Sequence, residues 1–382
     1  MRVQTAAVWI ALSLVVSGCS QQKPADEEAA LDIPDWLSSS DEKTTAAASD
    51  DSTPGDPAEA QNSMADGPEE SESAAIDQAS SEAVEPRRRE AREPRGELKL
   101  QLQLDEQFPL KKQITTTLVQ TASDGTQQKI QSELRLLMAI RVEEVSEGGT
   151  RLGVRYDRVE FEQTMDGGKI SYRSQSPPAE IPVAAQAYHD MVNDGFSFWI
   201  GPDNQISKLV GFQEFLSRCL ANVPPALQKQ VLLNMEAGTG ENGISDFVDN
   251  TIGLLPFGKD VSPGTEWTRP RTVGRPIPMV IESRYILQEL TPTEAVVKIT
   301  GDIIPSQTIN KTSRSQTDDI NVTVLGGSTM GQCTIFRDTG LPKESFTERV
   351  VNMSVDLGDG AVFEQTKTVQ TRVEAFPAIR QK

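Results

Sequence analysis

From Glu97 onward, apolar and polar residues alternate strictly. Leu98, Leu100, Leu102 and Leu104 share one face, with Lys99, Gln101 and Gln103 on the other. That period of two is the mark of a half-buried strand. It returns in Ile114-Thr115-Thr116-Thr117-Leu118-Val119, across 128–145, in Arg151-Leu152-Gly153-Val154-Arg155-Tyr156 with Val159 and Phe161, and in 169–173. Ser123-Asp124-Gly125, Glu147-Gly148-Gly149 and Asp166-Gly167-Gly168 punctuate these runs as turns. Short loops join antiparallel neighbours, so this half of the chain is expected to form a meander.

The period changes further on. Ala184, Tyr188, Met191 and Val192 fall on one face of a short helix over 183–192, with His189, the chain's one histidine, beside the stripe. Without a Cys, His or carboxylate cluster around it, His189 is read as structural. Phe196-Ser197-Phe198-Trp199-Ile200, the turn Gly201-Pro202-Asp203-Asn204 and residues 205–210 read as a hairpin.

A helical insert is expected over about 211–256. Its stripes are Phe212, Phe215, Leu216, Cys219 and Leu220, then Leu227, Val231 and Met235, then Ile244, Phe247, Val248, Ile252 and Leu255. Pro224-Pro225 separates the first two. Such stripes require a sheet, or each other, as cover.

Strand character resumes at Pro263-Gly264-Thr265-Glu266-Trp267. A hairpin of 280–290 with 295–300 turns across Thr291-Pro292-Thr293. After a polar loop at 306–318 come strands at 322–325, 331–337, 343–355 and 361–373, with turns at Asp338-Thr339-Gly340 and Gly358-Asp359-Gly360. The expected class is α+β, mostly β: an antiparallel curved, half-barrel-like sheet with a three-helix insert.

Everything before this body is different. The net charge is −19, and side-chain counting puts about −16 of it in residues 20–85. The charge therefore describes a tail and argues against a nucleic-acid-binding surface. Residues 20–95, rich in Asp, Glu, Ser, Ala and Pro, bury too little to offset their ordering entropy and are expected to be disordered. A coil of about 75 residues spans roughly 45–50 Å. One apolar island, Leu31-Asp32-Ile33-Pro34-Asp35-Trp36-Leu37, is either a partner-docking peptide through Ile33, Trp36 and Leu37 or a transient cluster. At the tail's end five arginines, Arg87, Arg88, Arg89, Arg92 and Arg95, make a solvated hinge or meet anionic headgroups.

At the start, Arg2 precedes an apolar run over 6–16, a signal-peptide core too short to span a bilayer. Val16-Ser17-Gly18-Cys19 resembles the bacterial lipobox. That resemblance implies a signal peptide of 1–18 and diacylglycerol on Cys19. Ser20, in place of Asp, resembles the outer-membrane sorting pattern, so the protein is expected on the outer membrane, facing the periplasm or, as the alternative, the cell surface. Several acyl chains make such attachment stable where one does not. The expected organisation is 1–18 signal peptide, 19–96 lipidated linker and 97–382 β-rich domain. With Cys19 acylated, Cys219 and Cys333 remain. They are either a disulfide worth about 4–5 kcal/mol or two buried free thiols.

The body resembles a family of bacterial lipoproteins known only as a domain of unknown function. The residues that carry this are Gly201-Pro202-Asp203-Asn204-Gln205-Ile206, Leu254-Leu255-Pro256, Pro263-Gly264-Thr265-Glu266-Trp267 and Phe336-Arg337-Asp338-Thr339-Gly340. The resemblance implies a fold and a location and brings no catalytic residues. By architecture the body is also similar to the curved sheets with covering helices of periplasmic lipoprotein and lipid carriers.

No chemistry-bearing motif argues for an enzyme. Gly326-Gly327-Ser328-Thr329-Met330-Gly331 lacks the glycine that a nucleophile elbow needs. No phosphate loop, dinucleotide fingerprint or zinc motif is present. Asp356, Asp359 and Glu364 miss the spacing of a calcium loop and read as a turn. No cofactor or metal is expected, and a carboxylate-pair hydrolase is the third-ranked alternative. The leading expectation is a non-catalytic membrane-anchored lipoprotein whose β domain binds a hydrophobic or amphiphilic ligand or an envelope protein. A structural or assembly scaffold is the alternative.

Overall fold

The computed structural model describes residues 95–380, apart from 166, 237–243, 245–246, 249, 257, 274–277, 307–320, 357–361 and 377–378. The signal peptide, Cys19, the acidic stretch with Ile33, Trp36 and Leu37, and the arginines at 87–92 lie outside the described residues. So do most of the 306–318 loop and the turn at 358–360.

The first meander runs β2 (Glu106–Thr121), β3 (Gln127–Ser146) and β4 (Gly149–Met165), preceded by the two-residue β1 (Gly96–Glu97). The outer edge of β4 is shared. Its second half pairs with β5 (Gly168–Arg173) and its first half with β6 (Gly195–Ile200), reached through helix α1 (Val183–Asp190). A hairpin adds β7 (Ile206–Val210), and the insert follows as α2 (Phe212–Leu220) and α3 (Pro225–Glu236).

The chain returns through β8 (Asp260–Val261), which pairs with β1 apart from the main sheet. A second meander then runs β9 (Glu266–Val273), β10 (Met279–Leu290), β11 (Glu294–Pro305), β12 (Asn321–Phe336), β13 (Pro342–Asp356) and β14 (Val362–Ala375). The two meanders join where β14 pairs antiparallel with β2, from Glu364 against Thr121 to Ala375 against Leu110. The short β15 (Ile379–Arg380) takes the remaining edge of β2. The result is one curved antiparallel sheet of 13 strands, ordered β7-β6-β4-β3-β2-β14-β13-β12-β11-β10-β9 with β5 and β15 at its margins, and it does not close.

One face of this sheet holds the core. Phe108, Leu110, Ile114 and Leu118 of β2 lie beside Leu134, Leu136, Met138 and Ile140 of β3 and Val154, Tyr156, Val159 and Phe161 of β4, all buried. The insert covers them with Phe212, Phe215, Leu216, Cys219, Val231 and Met235, and the third stripe, Ile244, Phe247, Val248 and Ile252, joins the same cluster. Burial of each such side chain contributes about 1.5–3 kcal/mol. A second cluster gathers Leu98, Leu254 and Leu255 with Tyr285, Leu287, Val297, Ile299 and Ile335. A third holds Val273, Met279, Ile281, Ile303, Val324, Val351 and Met353.

Two expectations are corrected. The alternating leucines are not a ladder strand: only Gly96 and Glu97 pair, and the chain from 98 to 105 is extended or turning. Its alternation still reports one buried face, because Leu98 is buried and Leu100 and Leu102 pack on the clusters, while Leu104 is exposed. Second, 322–325 and 331–337 belong to one long strand, β12, that passes through the glycine-rich run. The glycines serve curvature. Gly326 sits at φ 146 beside a bulge, and a Cβ on Gly327 or Gly331 would run into the carbonyls of Val350 or Phe346 on β13.

Candidate functional site

An open sheet has two end strands, and here they are β7 and β9. They do not pair with each other. The side chain of Arg269, on β9, spans the interval: Nη1 donates to the carbonyl of Asp203 at 3.1 Å and Nη2 to the carbonyl of Leu255 at 2.7 Å. Asp203 belongs to the β6–β7 turn, held by Gly201 N–H on the Gln205 carbonyl and by Asn204 in a left-handed conformation. Leu255 ends the insert. Trp267, two residues before Arg269, donates its indole N–H to the carbonyl of Leu254 at 2.8 Å. The seam between the sheet's ends is therefore closed by side chains and the end of the insert.

A cleft lies at this seam, and the strand register explains its lining. Arg269 of β9 pairs with Ser283 of β10, Ser283 with Gly301 of β11, Gly301 with Thr329 of β12, and Thr329 with Arg349 of β13. These positions form a polar or small row across the inward face. The row on one side is Tyr285, Ile299 and Gly331; on the other it is Ile281, Ile303, Gly327 and Val351. The polar row thus separates the second apolar cluster from the third. Arg269, Ser283, Thr329 and Arg349 line the cleft together with Arg271, and the insert supplies Asn250 and Gly253 from above. Gln205 contributes from the β6–β7 hairpin, and Ile281 and Tyr285 make the apolar walls. Three guanidiniums and no carboxylate line it among the described residues.

The cleft encloses about 20 Å³, room for roughly one water. Small-molecule sites of the usual kind need about 300–1,000 Å³. Occupancy by anything larger therefore requires the insert to move.

The cysteines do not meet as a pair. Cys219 on α2 is buried in the first cluster, whereas Cys333 on β12 is buried in the second, opposite Val297 and Ser345. Both are free thiols, which corrects the disulfide alternative. Burial pushes each thiol up to about 12. His189 Nδ1 lies 2.7 Å from the hydroxyl of Tyr172, an interaction that fastens α1 to β5. Among the described residues no group of three or more His, Cys, Asp or Glu is placed to hold a metal ion. No described helix is long and apolar enough to cross a membrane.

The cleft was missed at the level of sequence, although it leaves a trace there. Arg269 and Arg271 occupy the same face as Trp267 and Val273, and Ser283 sits between Tyr285 and Ile281 on theirs. Polar residues at inward positions of otherwise apolar faces were the available signal.

Several solved structures share features of the chain. One titled for lipid–protein interactions in lipovitellin has a TM-score of 0.42 at 11% identity, over 74% of this chain and 26% of that one. The protein thus spans about a quarter of the lipovitellin chain's length. An outer membrane channel from Pseudomonas putida F1 has a TM-score of 0.21 at 8% identity, covering 72% of this chain and 97% of that one. A LolA superfamily protein from Nitrosomonas europaea has a TM-score of 0.10 at 8% identity, covering 74% and 89%. No curated protein matches the sequence. A family model matches residues 147–342, from the start of the β3–β4 turn through the insert and four strands of the second meander to the first residue of β13. With half its length matched, the chain belongs to the family of unknown function DUF6263.

Proposed function

We propose that this is a membrane-tethered envelope protein whose half-barrel domain binds a hydrophobic or amphiphilic ligand and performs no chemistry. The observation that carries the proposal is the seam. Opening it breaks side-chain bonds such as those of Arg269 and displaces the end of the insert, while every ladder of the sheet stays intact. The two apolar clusters that flank the polar row are then the surfaces a ligand's apolar part meets. The lipobox-like Cys19 and the long acidic segment support a domain held near, but not against, a membrane.

The test is native mass spectrometry of the protein after mild extraction from its membrane, with titration by a fluorescent lipid below its aggregation threshold. A bound amphiphile, or saturable uptake at one site, is the expected result. Neither adduct nor saturable uptake would remove the ligand-binding role.

The enclosed volume of about 20 Å³ favours one alternative, an assembly scaffold with a filled core. On that alternative, in-cell crosslinking captures a fixed envelope protein and lipid titration stays flat.

A further inference from the structure

Within that ligand-binding role, on which it rests, we infer that the seam cleft recognises the anionic head of an amphiphile, a phosphate or a carboxylate. Arg271 and Arg349 supply the charge, and Ser283 and Thr329 supply hydroxyl donors. Arg269 holds the closed cleft through the carbonyls of Asp203 and Leu255 and adds to its positive potential; opening the seam releases that side chain.

Geometry makes the cleft selective. Along the row, Arg269 and Arg349 stand four strand spacings apart, about 19 Å on a flat sheet. The curvature of the sheet and the reach of the long arginine side chains bring both, with Arg271, to the walls of one small cleft. Like charges at such quarters repel, and an anion between them turns repulsion into attraction. A guanidinium's planar fork matches the oxygens of phosphate or carboxylate and forms the stronger, charge-assisted class of hydrogen bond. Arg271 and Arg349 also make contacts within the protein, so a ligand exchanges those contacts for its own.

The neighbours of the row specify an amphiphile. Ile281 and Tyr285 line the cleft from either side and lead into the third and second apolar clusters. A head held at the row thus has its tail directed along apolar side chains. A ligand without a charged head gains nothing from the arginines, which then keep their contacts within the protein, and a free anion leaves the apolar walls unused.

The experiment uses the chain from residue 20 onward, which carries neither the apolar run over 6–16 nor Cys19, and three probes: dodecyl phosphate, dodecyl maltoside and inorganic phosphate. Binding is measured by calorimetry below the micelle threshold. Dodecyl phosphate is expected to bind about tenfold or more tighter than dodecyl maltoside, as charge-assisted bonds to two guanidiniums imply. Arg271→Gln with Arg349→Gln is expected to abolish that preference. Equal binding of the two amphiphiles overturns the inference and leaves the ligand-binding role standing. No binding of either overturns both. Inorganic phosphate binding as tightly as dodecyl phosphate overturns the amphiphile assignment in favour of a free anion.

Should the double variant not fold, the wild-type chain decides. Phenylglyoxal modification of Arg271 and Arg349, mapped by peptide mass spectrometry, is expected to be blocked by dodecyl phosphate and not by the maltoside. Unprotected arginines in saturating dodecyl phosphate overturn the inference.

Discussion

The guanidinium of Arg269 and the carbonyl of Leu255 stand 2.7 Å apart, tying the last strand of the sheet to the last turn of the helical insert. The same side chain reaches the carbonyl of Asp203, in the hairpin at the sheet's opposite end. One arginine therefore does across the seam what a row of backbone hydrogen bonds does between other neighbours. Arg269→Ala is expected to lower stability by about 2 kcal/mol, since both lost bonds have a charged donor. Amide exchange at Gly253 and Leu255, whose N–H groups bond within the insert, should speed up more than exchange in β2 or β3. Unchanged exchange at 250–256 would mean that the seam is held by something else.

Cys219 and Cys333 are buried in separate clusters, and burial raises both thiols to about 12. With a pKa that high, neither forms appreciable thiolate between pH 7 and 9, and thiolate is the reactive species. Cys219 and Cys333 of the folded protein are expected to resist a thiol reagent at pH 8 and to react on unfolding. Labelling within the mixing time, or a non-reducing peptide map that joins the two, would contradict this arrangement.

Asp194 accepts two hydrogen bonds from Arg218, at 2.6 and 2.8 Å, and one from the N–H of Gly195. Arg218 first, and Gly195 less, hold the Asp194 carboxyl below its ordinary 3.8, against the opposing effect of burial. A carboxylate with a depressed folded-state pKa adds stability above its unfolded value and loses it as pH falls through the folded one. Arg218 is about half exposed, so solvent screening limits the contribution to about 1 kcal/mol or less. Asp194→Asn should therefore lower the urea midpoint at pH 6, by a margin that shrinks as pH falls below 3.8. A gap that does not shrink on acidification would assign the effect to packing instead.

Local signals carried much of the fold into the sequence. The hairpin 280–300 is legible because the apolar period and Thr291-Pro292-Thr293 agree, and the strands there run from Met279 to Leu290 and from Glu294 to Pro305. The stripes of the insert are legible for the same reason, since Phe212, Phe215, Leu216 and Cys219 are buried together. Register between distant strands is different in kind. Nothing local in Val369 or Thr116 says that they pair, yet that pairing joins the two meanders. The cleft depends on it doubly, because Ser283, Thr329 and Arg349 come from three strands that only the ladder aligns. The expected break between 325 and 331 is absent for a related reason. Gly327 and Gly331 each exist where the β13 backbone approaches too closely for a Cβ.

The leucines at 98–104 separate periodicity from pairing, and a pair of substitutions makes the difference measurable. Leu98 is 2% exposed, between Leu254, Leu255 and the inward face of β10 to β12, although it belongs to no ladder. Leu104, three alternations later, is 58% exposed. If a strand ladder set the stability of this segment, the two positions would respond alike, because both carry the same side chain on the same alternating face. Burial predicts otherwise. Leu98→Ala should destabilise by about 2–4 kcal/mol, from lost transfer energy plus the cavity left behind. Leu104→Ala should stay within about 0.5 kcal/mol of wild type. Urea denaturation of the two variants at one pH checks both values. Similar losses at the two positions would restore the segment to the sheet; a large loss at 98 alone shows it acting as an apolar strap over the second cluster.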